Sequence, residues 1–173
     1  YESILDEAAT LPQQTLRWHY RSKHEHLIAF SNSKIYRNSL ITFPSTVEKI
    51  DDMGVEYIHV PDGIYNEHGK RSNPKEASKI AELVIEHFDK FPDRSLGVVA
   101  FSSSQQDEIE IYLRKKRKEN MHYESFFDEN KEEPFFIKNL ENVQGDERDT
   151  IIFSIGYGKN KDGIFHMNFG PLN

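Results

Sequence analysis

The sequence contains no cysteine, which excludes disulfide bonds, cysteine-ligated metal sites and cysteine nucleophiles. No apolar run approaches the roughly 18 residues of a membrane-spanning helix, and the N-terminus lacks a charged-then-apolar signal pattern. A Gly-x-x-x-x-Gly-Lys-Ser/Thr loop, which cradles nucleotide phosphates, is absent as well. We therefore expect a cytoplasmic protein that has no membrane partner and no phosphate-binding loop of its own.

The composition is that of a polar globular protein. The 173 residues are 36% hydrophobic and 29% charged, and the formal net charge is −7. This length fits one domain with a hydrophobic core, so we expect residues 1–173 to form a single domain. The negative charge argues against a histone-like coat of positive charge on nucleic acid, although it leaves room for a local basic groove. The start at Tyr1 and the end at NFGPLN suggest a piece of a longer polypeptide.

Three segments carry helix signals. The strongest begins at residues 73–76, where an asparagine can cap the helix, a proline suits its first position and a glutamate completes a capping box. A second helix is predicted after the apolar segment SLGVVAF, with Ser103 or Ser104 as its cap. An earlier helix is predicted from Ser22 and Glu25, which also have the form of a capping box.

Short apolar segments predict the strands. An Asp-Gly pair at 162–163 predicts the tip of a C-terminal hairpin. The predicted strands are residues 39–45, 55–61, 95–101, 133–140 and 150–158. Strands alternate with helices along the chain, a pattern that is typical of a parallel α/β sheet.

Three polar stretches compete for the edge of this sheet where ligands collect. In open parallel sheets that edge is formed by the carboxyl ends of the strands and the helix N-termini beside them. The candidates are HYRS at 19–22, AFSSSQQ at 100–106 and NVQGDERD at 142–149.

Each candidate also has a plainer interpretation. Ser102 and Ser103 could bind a nucleic-acid phosphate through hydroxyl and backbone N–H groups, or they could simply cap a helix. Tyr20 could be a core aromatic residue and Arg21 a surface ion pair. The basic run at 114–118 sits near the end of a helix, where it complements the helix dipole, so a solvated face is favoured over a nucleic-acid patch.

Three sequence segments resemble superfamily 1 helicases. LRWHYRSKHEHLIAFSNSKIYRNSLITFP resembles motif IV (near residues 16–36) and its following helix, with the Tyr-Arg pair of the family at Tyr20 and Arg21. SLGVVAFSSSQQDEIE resembles the strand and helix between motifs IV and V. VQGDERDTIIFSIGYG, within residues 141–158, resembles motif V. The likeness is to large bacterial helicase-related proteins that carry NVQGDERD and MNFGPLN, and it covers most of the chain.

The resemblance implies the second, C-terminal RecA-like motor domain of such a helicase. That domain is a three-layer α/β fold with a mainly parallel sheet, helices on both faces and, here, a C-terminal hairpin. In the family the tyrosine packs against adenine, the arginine reaches the γ-phosphate as a catalytic residue, and the motif V glutamate contacts the ribose. We predict nucleotide contacts at Tyr20, Arg21, Gln144, Gly145 and Glu147, and nucleic-acid contacts at Ser102, Ser103 and Asn142. Arg148 and Asp149 are expected to pair locally, and no metal site is expected.

The function implied is ATP-dependent translocation on single-stranded nucleic acid, with DNA favoured. ATP and Mg²⁺ would be bound mainly by the first RecA-like domain of the same polypeptide, so we expect the chain alone to be inactive. The competing hypothesis is a catalytically silent RecA-like module that serves regulation or protein binding. A phosphate-loop lysine in the parent sequence would distinguish the two.

Overall fold

A computed structural model describes residues 3–22, 24–43 and 53–165. The chain divides into two compact units, residues Tyr1–Ile58 and His59–Asn173. Within the described residues, no helix combines the length and the apolar character that crossing a membrane requires.

The first unit consists of short elements. Helix α1 (Ile4–Glu7) runs into a 3-10 turn, and strand β1 (Trp18–His19) pairs in parallel with β2 (Ile41–Thr42). Helix α2 (His26–Lys34) lies between the two strands in sequence. The strand predicted at 39–45 is therefore confirmed at its centre, while its last two residues lie outside the described residues.

The capping box predicted at Ser22 and Glu25 is wrong. Helix α2 begins only at His26, and Glu25 occupies the cap position with helical dihedral angles and no side-chain capping bond. The Ser22 hydroxyl instead lies 2.7 Å from Nε2 of His19. The Ser22 hydroxyl therefore contacts the imidazole of His19 and does not cap helix α2.

The second unit is built on a parallel sheet of three strands. Strand β3 (Leu96–Ala100) lies at the centre, between β4 (Phe136–Asn139) and β5 (Thr150–Ser154). Every residue of β3 is buried, which agrees with its unbroken apolar sequence. The α/β class with parallel sheets is thus confirmed, and the fold is consistent with a RecA-like P-loop domain.

Two predicted β features differ from the structure. The strand predicted at residues 55–61 is wrong, because these residues form no strand in the structure. At the predicted hairpin tip there is a turn, in which Asn160 N donates to Ile164 O at 2.9 Å and Gly163 has a φ of 76°. No strand flanks that turn up to residue 165, and the rest of the predicted hairpin lies beyond the described residues.

Helix α3 (Pro74–Lys90) follows its sequence signals closely. Asn73 caps it by accepting a hydrogen bond from Glu76 N at 3.2 Å, and Pro74 takes the first helical position. The apolar side chains that recur at helical spacing along α3 are buried: Ala77, Ile80, Ala81, Val84 and Phe88. The glutamate, however, does not close the capping box, since the Asn73 N–H donates to Oε1 of Gln105 at 2.7 Å.

Helix α4 (Ser103–Glu119) is capped one residue earlier than predicted. Ser102 has extended backbone angles, and its hydroxyl accepts a hydrogen bond from Gln105 N at 3.2 Å. Because Ser102 is the cap, Ser103 already belongs to the first turn. The α3 and α4 side chains pack together against the sheet face formed by Leu96, Val98 and Ala100.

A buried polar network joins both helices to the end of β5. We call Asn73, Glu76, Gln105, Ser154 and Gly156 the Gln105 network. Gln105 is fully buried, and its Nε2 donates to Ser154 Oγ at 3.1 Å and to the Asn73 carbonyl at 3.4 Å. The Ser154 hydroxyl in turn donates to Glu76 Oε1 at 2.7 Å, and Gly156 N donates to the same oxygen at 2.9 Å. These bonds fix the carboxyl edge of the sheet relative to two helix N-termini.

Replacing Gln105 with leucine tests the network. The substitution leaves the buried Asn73 N–H without an acceptor, and we expect the free energy of unfolding to fall by about 2–3 kcal/mol. Urea unfolding followed by circular dichroism measures this change. The matched control is Gln106→Leu, because the Gln106 amide is only partly buried and bonds to Glu110 and Ile137. Equal losses for the two variants would contradict the special role of Gln105.

Candidate functional site

The Tyr20–Arg21 pair sits in a turn that is closed by side chains on either side. His19 Nε2 accepts a hydrogen bond from Ser22 N at 3.2 Å, in addition to its contact with the Ser22 hydroxyl. Before the turn, the Trp18 ring stacks on Phe43 with ring centroids 5.4 Å apart. The turn that carries Tyr20 and Arg21 is therefore held by the His19–Ser22 hydrogen bonds and by the stacking of Trp18 on Phe43.

This turn leaves two of the predicted nucleotide-binding side chains at the surface. Tyr20 is 87% exposed, and Arg21 is exposed as well. The interpretation of Tyr20 as a core aromatic residue is therefore wrong. An exposed aromatic ring offers a flat face for stacking, and a guanidinium offers a planar fork that matches phosphate oxygens.

Gln144 and Gly145 form the middle of a tight turn. Asp146 N donates to Val143 O at 3.0 Å, and Gly145 has a φ of 87° while Gln144 does not have a positive φ. A positive φ at the third position is the mark of a type II turn, which favours glycine there. A glycine at position 145 thus permits a sharp turn, and both Gln144 and Glu147 are exposed.

The loop that carries this turn runs from one edge of the sheet to the other. Asn139 pairs with Ala100 at the carboxyl ends of the strands, whereas Thr150 pairs with Leu96 at their amino ends. Asn142 stays near the carboxyl edge, where its N–H contacts the Asn139 carbonyl and side-chain oxygens at 3.1 and 3.2 Å. The predicted site residues of motif V therefore do not all lie at one edge.

Arg148 and Asp149 have structural partners at the amino edge. The Arg148 guanidinium donates to the Pro134 carbonyl at 2.7 and 3.1 Å and lies over the Phe136 ring. The Asp149 carboxylate accepts from the backbone N and hydroxyl of Ser95 at 3.1 and 3.2 Å. The local pairing expected of these two residues is not what these bonds show, since Pro134 and Ser95 lie 14 and 54 residues away in sequence. The bonds instead tie the loop to the residues that precede β4 and β3.

The predicted nucleic-acid contacts cluster at the carboxyl edge. Ser102 caps α4, and the Ser103 hydroxyl accepts from Asn139 Nδ2 at 3.0 Å. Both hydroxyls keep a proton to donate, which is what a phosphate oxygen would accept. A small cavity lies here, and it is lined by Phe101, Ser102, Ser103, Asn139, Leu140 and Glu141. The negatively charged Glu141 carboxylate lies at one wall of that cavity, where it would repel an anion.

Sequence reasoning missed how Glu76 and Ser154 shape this edge. The glutamate was assigned to a capping box, yet its carboxylate holds the first residues after β5. One sequence signal could have pointed there: Ser154 is a polar residue inside the otherwise apolar run TIIFSI, where a buried hydroxyl needs a partner.

An aromatic pair follows this segment. Tyr157 lies beside Tyr65, with ring centroids 5.5 Å apart, and Tyr65 N donates to the Lys159 carbonyl at 2.9 Å. Partial burial raises the pKa of both phenols above the ordinary value. Both therefore remain neutral hydrogen-bonding groups at physiological pH.

The parallel α/β fold, taken together with the similarities reported next, supports a helicase-like protein of the P-loop class. The family model described as AAA domain matches residues 2–168, and the chain belongs to this family.

Two curated proteins are similar to the chain over most of its length. The uncharacterized ATP-dependent helicase MG140 of Mycoplasma genitalium is 38% identical over 163 residues, which cover 91% of this chain and 14% of that protein. The MG140 homolog of Mycoplasma pneumoniae is 33% identical over 161 residues, which again cover 91% of this chain and 14% of that protein. The chain thus spans a small part of the length of these relatives. No solved structure matches it significantly.

Two glycines with positive φ allow a paired test of the site. An added Cβ at Gly145 would meet nothing within 4 Å, so Gly145→Ala carries only the conformational penalty of roughly 1 kcal/mol. At Gly156 the same atom would lie 3.1–3.2 Å from the Gln105 side chain, in addition to a φ of 74°.

We therefore expect Gly156→Ala to lower the free energy of unfolding by more than Gly145→Ala, by about 1–2 kcal/mol further. Thermal and urea unfolding of the two variants give the comparison. A larger loss for Gly145→Ala would mean that the loop, and not the Gln105 network, is the tighter constraint.

Proposed function

We propose that this chain is the second RecA-like motor domain of an ATP-dependent superfamily 1 helicase. The observation that carries the proposal is the identity of 38% over 91% of the chain to a protein named an ATP-dependent helicase. The motor would translocate on single-stranded nucleic acid, with DNA as the favoured substrate. Its activity would belong to the whole polypeptide.

The nucleotide would be shared between two domains. Because the sequence has no glycine-rich phosphate loop, ATP and its Mg²⁺ would be bound mainly by the first motor domain. Mg²⁺ would neutralise charge on the phosphates. This chain would contribute the Tyr20 ring against the base and the Arg21 guanidinium against the γ-phosphate. The exposure of both side chains supports these roles, since neither is buried in the core of its own unit.

Motif V would also contact the nucleotide. Glu147 is exposed, and a carboxylate can accept hydrogen bonds from ribose hydroxyls. The type II turn leaves Gln144 exposed as well, and Gly145 permits that turn. These assignments agree with the resemblance to motif V.

Single-stranded nucleic acid would lie at the carboxyl edge of the sheet. There Ser102, Ser103 and Asn142 offer hydroxyl and amide donors to phosphate oxygens, the kind of contact that positions a strand without reading its sequence. In this mechanism ATP binding closes the two motor domains, and hydrolysis reopens them, so that the domains step along the strand.

The replacement Arg21→Ala in the intact protein tests the central assignment. We expect ATP turnover to fall by roughly 10³–10⁵-fold, the range for arginines that stabilise phosphoryl transfer. Nucleic-acid binding should largely survive, because the proposed strand contacts lie on other residues. Steady-state ATPase assays and filter binding give the two readouts.

The control variant is Arg17→Ala, which removes an exposed guanidinium from the same segment. It should leave turnover within about twofold of the parent, as surface substitutions usually do. Normal turnover in Arg21→Ala, or an equal loss in both variants, would show that Arg21 does not act on the nucleotide.

A further inference from the structure

The C-terminal half of α4 carries the densest cationic run of the chain, Arg114–Lys118. Two of these five side chains are neutralised. Arg117 forms a bidentate pair with Glu124, with N···O distances of 2.6 and 3.0 Å. Lys116 lies 3.9 Å from the Glu119 carboxylate.

In the part of the chain that the structure describes, the other three cations have no acidic partner. Arg114 and Lys118 make no hydrogen bond or ion pair within the described residues, and the Lys115 ammonium lies only over the Tyr112 ring, at 4.9 Å. All three side chains are exposed. We call Arg114, Lys115 and Lys118 the α4 basic patch.

Helix geometry places the patch on one side of α4. At about 100° per residue, these positions fall within an arc of roughly 100°, and Arg114 and Lys118 are neighbours about 6 Å apart along the axis. Like charges at this spacing repel one another and destabilise an isolated helix. Placing three positive charges together on this helix therefore lowers its stability. In a chain whose net charge is −7, this loss needs a physical explanation.

The helix dipole accounts for only part of the run. Dipole stabilisation is confined to the last turn, and the basic residues of that turn are Lys116, Arg117 and Lys118. Arg114 and Lys115 lie earlier in the helix. An acidic ligand along the outer face of α4 would relieve the repulsion among all three patch residues.

We propose that the α4 basic patch binds the phosphate backbone of single-stranded nucleic acid outside the motor cleft. This inference rests on the proposed function, which supplies a polyanion as the substrate of the whole protein. The patch lies roughly 16 Å along α4 from Ser103, by the 1.5 Å rise per residue. A strand that leaves the carboxyl edge could therefore follow the helix to the patch. Three flexible cations on an exposed face suit phosphate contacts that carry no base specificity.

The test is the salt dependence of binding by the 173-residue chain. The probe is a fluorescein-labelled oligothymidylate of about 16 nucleotides, within the range of compact single-strand sites. Its anisotropy is measured between about 50 and 200 mM salt. The test variant is Arg114→Gln/Lys115→Gln/Lys118→Gln. The matched control, Lys75→Gln/Lys131→Gln/Lys161→Gln, makes the same change in net charge at exposed but dispersed positions.

Each phosphate contact on a single strand contributes about −0.7 to the slope of log K against log salt. We expect the patch variant to reduce the magnitude of the slope by about 2, while the control changes it much less. Both variants should melt like the parent, because glutamine is a good helix former at exposed positions.

Three results would overturn the inference: an unchanged slope in the patch variant, an equal change in the control, or no binding of the oligonucleotide by the parent chain. Tighter patch-dependent binding of polyglutamate or of anionic lipid vesicles would also overturn it, since the partner would then be an acidic protein or a membrane surface. The ATPase assays on Arg21 are independent of the patch, so failure here leaves the proposed function standing.

Discussion

The side-chain amide of Gln105 is the interaction on which the second unit depends. It is fully buried, and it accepts from the cap residue of α3 while donating to the last residue of β5. A buried amide of this kind stabilises the fold only when its partners are in place, because each unsatisfied group costs about 1–3 kcal/mol. The first turn of α4, the cap of α3 and the end of β5 must therefore form together.

This constraint determines what the carboxyl edge can present. Since Gln105 satisfies the N–H of Asn73, the Glu76 carboxylate is released from the capping box and can hold Ser154 and Gly156. Gly156 then takes a positive φ in close contact with Gln105. The same edge carries the hydroxyls of Ser102 and Ser103, so the surface proposed for nucleic acid adjoins the hydrogen-bonded Gln105 network.

The amino edge is secured by a different set of contacts. Arg148 and Asp149 anchor the motif V loop to Pro134 and Ser95, which leaves Gln144 and Glu147 on the exposed part of the loop. Within this charged segment, Arg148 and Asp149 therefore fasten the loop to the sheet, whereas the side chains of Gln144 and Glu147 are exposed.

Sequence patterns predicted the elements whose signals are local and uncontested. Asn73 and Pro74 begin α3, and the run Leu96–Ala100 forms the central strand, because no other group competes for these roles. The predictions failed where two partners competed for one group. His19 takes the hydroxyl of Ser22, and Gln105 takes the N–H that Glu76 was expected to accept. A sequence shows which bonds are possible, whereas the distances that decide between them arise only from the tertiary fold.

ATP turnover by the intact protein, measured with and without single-stranded DNA, tests the account most directly. In the proposed motor, the strand would bind at the carboxyl edge, and its binding would be coupled to hydrolysis of the nucleotide in the cleft. The account therefore predicts that saturating single-stranded DNA raises turnover by at least tenfold, or about 1.4 kcal/mol in the activation free energy. Turnover that is absent under both conditions, or that is unaffected by the strand, would contradict the assignment of this chain to a helicase motor.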